Sequence, residues 1–162
     1  MVKEKPPTTP PSVMRKSDVP VAENSCIFCD YNKEDILMPE LTFGRNLISG
    51  IAYCILDKYP VTKGHTLIIP KRHVEFISEL SFLEMEHIFL LAKHRMEWIQ
   101  SEMKDITGWN FGVNQGESAG QTISHLHFHL IPRRKNDTEN PIGGIRKVIP
   151  NKGDYTAVDF EK

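Results

Sequence analysis

Three histidines alternate with apolar residues between positions 124 and 131, where the sequence reads SHLHFHLI. Side chains of a β-strand point alternately to its two faces, so this pattern predicts a strand with His125, His127 and His129 in a row on one face. Adjacent imidazoles repel one another when protonated, and an ordinary solvated face has no need of three of them. Two kinds of chemistry fit the row: a metal bound by His-x-His, or nucleophilic catalysis by an imidazole whose tautomer its neighbours fix.

The residues on either side of this row favour a phosphate ligand. Upstream there are side-chain amides, a hydroxyl and glycines, and downstream there are cations: Asn114, Gln115, Gly116, Gly120, Gln121 and Thr122, then Arg133, Arg134 and Lys135. Amide, hydroxyl and backbone N–H donors bind phosphate oxygens, and glycine lets the backbone approach them closely. A neutral imidazole also meets an anionic phosphate ester without the repulsion that a carboxylate would suffer. Nucleophilic attack on phosphorus is therefore the favoured chemistry.

A Cys-x-x-Cys pair, Cys26 and Cys29, carries a second kind of chemistry. The odd number of cysteines and the lack of a secretory pattern predict a cytoplasmic protein, in which the pair binds metal rather than forming a disulfide. Two sulfurs do not complete the tetrahedral shell that zinc prefers, so histidines must supply the rest. We expect His87 and His94, seven residues apart on a predicted helix, to be solvated or stacked, and Cys54 to belong to the core.

The elements that must position these residues are strands and one helix. Apolar runs at 51–56 and 65–69 flank a turn at 60–64 and predict a β-hairpin-like pair. The capping box formed by Ser81 and Glu84 begins a long amphipathic helix. Its apolar stripe is expected to face the core: Phe82, Met85, Phe89, Ala92, Met96, Ile99 and Met103. Strand-like alternation follows at 109–113 and 124–131, with a last short apolar run at 145–149. The order predicts an α+β fold with an antiparallel sheet.

The length of 162 residues fits one domain. Residues 1–22 are rich in proline and predicted to be a flexible tail, residues 23–150 form the domain, and residues 151–162 form a C-terminal tail. The composition, 40% hydrophobic and 25% charged, is that of a globular protein without membrane spans. A net charge of -1 argues against duplex nucleic acid as a partner, so an anionic ligand must be bound by a local arrangement.

At this level of detail the sequence resembles the histidine-triad superfamily of nucleotide hydrolases and transferases. The resemblance rests on the motif HLHFHLI, on Asp57, on the segment VTKGHTLIIPKRH at 61–73 and on residues 114–132, and it covers roughly residues 24–150. It implies a histidine-triad fold with a short N-terminal zinc knuckle.

The resemblance also implies a mechanism. His127 attacks the α-phosphorus of a nucleotide and forms a covalent nucleotidyl-histidine, which water then hydrolyses. His129 contacts the α-phosphate and orients the reacting ring, and His65 belongs to the supporting relay. Substrate-binding roles fall on Asp57 for the ribose hydroxyls and, for phosphate and leaving group, on Asn114, Gln121 and Thr122. A histidine rather than a glutamine at position 129 favours hydrolysis over nucleotidyl transfer.

In a zinc-containing branch of this family, residues matching Cys26, Cys29, His73 and His125 bind a structural zinc. Four protein ligands close the shell, so no zinc-bound hydroxide is expected. The resemblance further implies a symmetric homodimer with a shared sheet. Its substrates are dinucleoside polyphosphates or nucleoside phosphoramidates, with adenosine as the expected nucleoside.

Three alternatives stay open at this point. The chain could be a nucleotide-binding sensor with negligible turnover, or a nucleotidyltransferase. It could also be a metalloprotein that uses His-x-His-x-His for a catalytic metal.

Overall fold

The computed structural model describes residues 26–31, 42–43, 46–47, 50–151 and 153. The predicted N-terminal tail lies outside the described residues, as does nearly all of the predicted C-terminal tail. A four-stranded antiparallel sheet in the order β3-β4-β6-β5 carries one long helix, and a separate two-stranded ribbon pairs β1 with β2. The elements are β1 (Thr42–Phe43), β2 (Asn46–Leu47), β3 (Ala52–Leu56), β4 (Thr66–Pro70), α1 (Phe82–Glu102), β5 (Ile106–Val113) and β6 (Phe128–Arg134). The predicted α+β class with an antiparallel sheet is confirmed.

The hairpin of β3 and β4 forms as predicted, with Cys54 opposite Ile68 at its centre. Gly64 closes the turn at a φ of +93°, a backbone conformation that side chains other than glycine rarely adopt. Asp57 and His65 flank this turn, and the backbone N–H of Asp57 donates to the His65 carbonyl at 3.0 Å. The hairpin therefore brings two of the predicted site residues together.

Helix α1 begins at the predicted capping box. The Ser81 hydroxyl accepts the backbone N–H of Glu84 at 3.2 Å, and the Glu84 carboxylate accepts the Ser81 N–H at 2.8 Å. The same carboxylate accepts two further bonds from Arg72, at 2.9 and 2.8 Å. The cap thus ties the helix to the segment that follows β4.

The prediction of the buried helix face is wrong in part. Ala92 and Ile99 are buried, but Phe82 is 88% and Phe89 60% exposed. The side of α1 that meets the sheet includes other residues: Ile88, Leu91 and Arg95 are its further buried members. The helix carries more apolar residues than one face can bury, because only about a third of its circumference can contact one sheet.

The predicted strand at 124–131 is shifted. Strand β6 begins only at Phe128, so His125 and His127 precede the ladder and His129 alone lies in it. The backbone before Phe128 is held differently, since Leu126 donates to the Val74 carbonyl at 2.7 Å. The last apolar run, at 145–149, is mostly a short 3-10 helix, Gly144–Val148, with exposed side chains.

Two clusters make the core. One lies between α1 and the sheet, and the other covers the opposite face of β3 and β4 with Phe28, Tyr53, Ile55, Leu67 and Ile69. Within the part of the chain that the structure describes, α1 is too polar to cross a membrane.

Candidate active site and metal centre

Two histidines and a carboxylate meet where β4 and β6 run side by side. Leu67 pairs with His129 in the sheet, and the turn before β4 supplies His65. His65 Nε2 lies 3.0 Å from His129 Nδ1. Asp57 Oδ2 lies 3.5 Å from His65 Nδ1 and 4.0 Å from His129 Nδ1. The structure therefore brings together three of the predicted site residues from positions up to 72 apart in the chain.

The hydrogen bonds indicate which nitrogens carry protons. The Val61 N–H donates to His65 Nδ1 at 3.3 Å, so His65 is protonated at Nε2 and donates to His129 Nδ1. Burial is the largest cause lowering the pKa of both rings, followed for His129 by the charges of His127 and His65, while Asp57 opposes it. The pKa of His129 falls to about 4. At neutral pH this pair is therefore uncharged.

His127 stands next to this pair with its ring held from one side. Its Nδ1 lies 2.8 Å from the His125 carbonyl, which can only accept, so Nδ1 carries the proton and Nε2 keeps its lone pair. The rings of His127 and His129 are 5.2 Å apart at 68°. His127 is 7% exposed. A neutral imidazole with a fixed tautomer and an available Nε2 is suited to nucleophilic attack.

Hydrogen bonds of the Gln121 side chain hold the loop before these histidines together. Its carboxamide oxygen accepts the Gly116 N–H at 2.7 Å, and its nitrogen donates to the Ile123 carbonyl at 3.2 Å. Val113 of β5 pairs with Phe128 of β6. Because the strands are antiparallel, the next residue after Val113, Asn114, lies beside the residue before Phe128, which is His127.

Thr122 is exposed in the same loop. Gln115 points elsewhere, since its carboxamide oxygen accepts the Ile77 N–H at 2.8 Å. Gln121 therefore holds the shape of the loop, Asn114 lies beside His127, and Thr122 is exposed.

Four predicted metal ligands converge on the other side of His127. Cys26 Sγ lies 3.3 Å from His125 Nδ1, and Cys29 Sγ lies 3.6 Å from the same atom and 3.2 Å from His73 Nδ1. All four donor atoms lie within 4.8 Å of one another. In a tetrahedral zinc site, Zn–S of about 2.3 Å and Zn–N of about 2.0 Å place sulfur and nitrogen about 3.5 Å apart. The donor set and its spacing fit zinc.

The protonation of this group also fits a metal. His125 Nε2 donates to the Pro70 carbonyl at 2.9 Å, which leaves the Nδ1 lone pair toward the sulfurs. Burial, followed by the hydrogen bond and charge of Cys26, raises the pKa of Cys29 to about 11. A thiolate at Cys29 beside Cys26 is therefore unfavourable unless a cation lies between the two sulfurs.

The three alternating histidines do not form one metal site. Within residues 26–31 and 50–151, His125 groups with the cysteines, whereas His129 groups with Asp57 and His65. This division argues against a single metal bound by all three alternating histidines. Cys54 is fully buried, as predicted. His87 lies on α1, with Nδ1 2.7 Å from the Leu83 carbonyl of the preceding turn.

Sequence reasoning missed Phe28, which lies between the two cysteines. Its ring is 5.2 Å from that of His127 and 5.8 Å from that of His125. The contact joins residues almost a hundred positions apart, and no local periodicity signals it.

Comparison with known proteins agrees with this geometry. The HIT domain model matches residues 49–136. A bis(5'-adenosyl)-triphosphatase of Dictyostelium discoideum is 36% identical over 90 residues, which are 56% of this chain and 60% of that protein. An AP-4-A phosphorylase of Mycobacterium tuberculosis is 32% identical over 119 residues, 70% of this chain and 60% of that protein.

A solved structure, of a Zn-bound histidine triad family protein from Mycobacterium smegmatis, superimposes with a TM-score of 0.56. It is 28% identical, and the match covers 72% of this chain and 80% of that one. The histidine arrangement, the antiparallel sheet with one main helix and the match over residues 49–136 lead to one conclusion: the chain belongs to the HIT domain family.

Proposed function

We propose that this protein is a nucleotidyl hydrolase that cleaves at the α-phosphorus of a dinucleoside polyphosphate or nucleoside phosphoramidate, with adenosine as the nucleoside. The observation that carries the proposal is the 2.8 Å bond from His127 Nδ1 to the His125 carbonyl, which leaves Nε2 as the nucleophile. The names of two relatives, a bis(5'-adenosyl)-triphosphatase and an AP-4-A phosphorylase, support an adenosine polyphosphate as substrate.

In the first step, the Nε2 lone pair of His127 forms a bond to the α-phosphorus. The bond from this phosphorus to the bridging atom of the leaving group breaks, and its electron pair departs with the leaving group. The ring becomes positively charged, and its Nδ1–H points at the His125 carbonyl, whose negative end stabilises that charge. Water then attacks the phosphorus, releases the nucleoside monophosphate and a proton, and returns His127 to its neutral form.

The neighbouring residues bind and orient the nucleotide. His129 is kept neutral by burial and donates to an α-phosphate oxygen from Nε2, because its Nδ1 accepts from His65. The Asp57 carboxylate accepts hydrogen bonds from the ribose hydroxyls. Asn114 and Thr122 donate to the phosphate and the leaving group, and Gln121 keeps their loop in shape through its bond to Gly116.

Loss of the covalent intermediate tests this proposal. His127→Ala should abolish acid-stable protein-bound nucleotide and lower kcat by several orders of magnitude. It should melt within a few degrees of the unchanged protein, because His127 lies outside both hydrophobic core clusters. The matched control is His87→Ala, which removes a histidine of α1 remote from the site and should leave both measurements unchanged.

The substrate panel decides between the related activities. It comprises diadenosine and diguanosine polyphosphates and an adenosine phosphoramidate, each assayed with and without inorganic phosphate. Products that incorporate phosphate would identify a nucleotidyltransferase. Tight binding of every compound without product release would identify a sensor, and labelled protein surviving in His127→Ala would overturn the mechanism.

We further propose that Cys26, Cys29, His73 and His125 hold a structural zinc. When bound, the metal would supply a rigid anchor for the segment that carries His127. Purified protein should contain about one zinc per chain, and Cys26→Ser should lose it, whereas Cys54→Ser, which changes a buried core cysteine, should keep it. Equal zinc content in the two variants would refute the site. A thiolate site of this kind fits a reducing compartment such as the cytoplasm.

A homodimer is the third part of the proposal. Phe89 is 60% exposed on α1, and its ring is 5.5 Å from that of Phe111 on β5, the edge strand of the sheet. An exposed aromatic pair beside an open strand edge fits a second copy of the chain. Light scattering should report a dimer, and Phe89→Glu a monomer, while Leu83→Glu, at an exposed position on another face of the helix, serves as the control. A monomeric parent protein would refute this part.

A further inference from the structure

We propose that Phe28 is a positioning residue through which the metal site controls the orientation of His127. The proposal rests on the nucleophilic role of His127 only for its kinetic readout. It concerns a physical link between the cysteine turn and the ring of His127 that exists in addition to the hydrogen bond from His127 Nδ1 to the His125 carbonyl.

Phe28 is placed by the cysteine turn itself. Its neighbours Cys26 and Cys29 supply two metal donors, and the turn closes with the Cys29 N–H donating to the Cys26 carbonyl at 2.9 Å. From the sheet, the Tyr53 hydroxyl donates to the Phe28 carbonyl at 2.6 Å. The ring is 5% exposed. Its position therefore depends on a turn whose two ends would be fixed by one ion.

The ring of Phe28 faces both histidines. It meets the His127 ring at 5.2 Å and 60°, and the His125 ring edge-on at 5.8 Å and 84°. Aromatic pairs at these separations and tilts attract one another beyond the burial of their surface. Phe28 thus packs at once against a metal ligand and against the nucleophile.

Among the described residues, two further contacts restrain the ring of His127. The bond from Nδ1 to the His125 carbonyl fixes one edge, and His129 packs against it at 5.2 Å and 68°. The bond alone allows the ring to tilt about the line from Nδ1 to the carbonyl oxygen, because a hydrogen bond tolerates a range of angles. Phe28 and His129 limit that tilt. Since attack on phosphorus requires Nε2 in line with the leaving group, a tilted ring loses rate.

The metal could also act on His127 by a second route, through the backbone of its ligand His125. A double-mutant cycle separates the two routes. His73→Ala removes a metal ligand from the exposed end of the site, and Phe28→Ala removes the link. The readout is the single-turnover rate of nucleotidyl-histidine formation at saturating diadenosine polyphosphate.

We expect each single change to slow this step about tenfold or more, and the double variant to be no slower than about twice the slower single variant. If the two rate reductions multiply in the double variant, the metal acts through His125 and the proposal is overturned. The control pair is His73→Ala with Phe76→Ala, an exposed phenylalanine before α1, whose effects should multiply.

A second measurement needs neither substrate nor activity. Ring-nitrogen NMR of the zinc-loaded protein should show His127 as a single tautomer with its proton on Nδ1. In Phe28→Leu, which fills most of the space without an aromatic ring, the zinc content should be unchanged while the His127 signals broaden or show both tautomers. The zinc-depleted parent protein should show the same change.

An unaltered His127 spectrum in zinc-loaded Phe28→Leu would refute the proposal, whatever the enzyme assays give. Failure of the parent protein to form nucleotidyl-histidine would instead refute the proposed function and leave the NMR result as the test of Phe28.

Discussion

Glu84 at the start of α1 has two tasks that one substitution can separate. Its carboxylate accepts the Ser81 backbone N–H at 2.8 Å as part of the helix cap, and it accepts two bonds from the Arg72 guanidinium at 2.9 and 2.8 Å. Glutamine can also occupy this capping position. Glu84→Gln therefore keeps the cap and removes the ion pair with Arg72. Arg72 directly precedes the proposed metal ligand His73 in the chain.

The size of the effect follows from the acidity of this carboxyl group. Hydrogen bonds from Arg72, opposed by burial and reinforced by Ser81, lower the pKa of Glu84 from 4.5 to about 2. The full shift corresponds to about 3.4 kcal/mol of the free energy of unfolding. Because the Arg72 side chain is 53% exposed, solvent weakens the pair. We expect Glu84→Gln to lower the free energy of unfolding by about 1.5 to 2 kcal/mol at pH 7.

Urea denaturation at a series of pH values measures this. A carboxyl group whose pKa is depressed in the folded state stabilises the protein fully above its unfolded pKa of 4.5, and the contribution is lost as the pH falls toward 2. The difference between parent and variant should therefore be constant from pH 7 to 5.5. It should have fallen to less than about half by pH 3.

The matched control is Glu97→Gln on the same helix. Glu97 pairs with Lys93 at 2.7 Å, but both side chains are more than half exposed, so its loss should leave the free energy of unfolding almost unchanged. If Glu84→Gln is no more destabilising than Glu97→Gln, or if its effect persists unchanged to pH 3, the assignment of a strong ion pair to Glu84 is wrong.

Three further predictions concern single residues. Gly64→Ala should lower the free energy of unfolding by about 1 to 2 kcal/mol in urea melts, because the residue adopts a φ of +93° and a Cβ would lie 3.2 Å from Pro132; a neutral substitution would contradict this. His129 should not titrate between pH 8 and 5.5 in NMR, since burial and the charges of His127 and His65 lower its pKa to about 4. Because the unfolded chain takes up this proton first, the free energy of unfolding should fall as the pH drops from 6.5 toward 4; an NMR titration midpoint of His129 near 6.5 would refute this. Cys54 should react with iodoacetamide at pH 8 only after denaturation, because burial raises its pKa to about 12; labelling of the native protein would count against it.

Local pattern was enough to predict the β3–β4 hairpin, the strand at 109–113 and the helix start. The alternation at 109–113 falls within β5, and the capping residues Ser81 and Glu84 bond as expected. Such features depend on neighbours a few residues apart, for which the sequence carries the whole signal. The spacing of Cys26 and Cys29 predicted two of the four metal donors, and family resemblance supplied His73 and His125. The structure adds the distances between sulfur and nitrogen, which are 3.2 to 3.6 Å.

Features that depend on distant segments could not be predicted. Periodicity selected Phe82 and Phe89 as core residues because they share a stripe with Ala92, yet the sheet packs against the neighbouring stripe. A single sequence does not say which of two apolar stripes meets the domain's own sheet. The start of β6 differs from the prediction for a similar reason. His125 contacts the Pro70 carbonyl and Cys26 and lies before the strand rather than in it.

The strand order has a consequence for how the chain is made. Strand β6 is the last to leave the ribosome, yet it lies in the middle of the sheet, between β4 and β5. A nascent chain that ends before Phe128 has a β3–β4 hairpin with an open edge at β4, which β6 later covers, and a β5 segment with no strand to pair with. Those edges are exposed to other chains until β6 inserts, and its pairings span long stretches of sequence, which slows folding. His127 and His129 therefore reach their positions in the same event that joins β4 to β5, so a partly folded chain lacks the contact between His65 and His129.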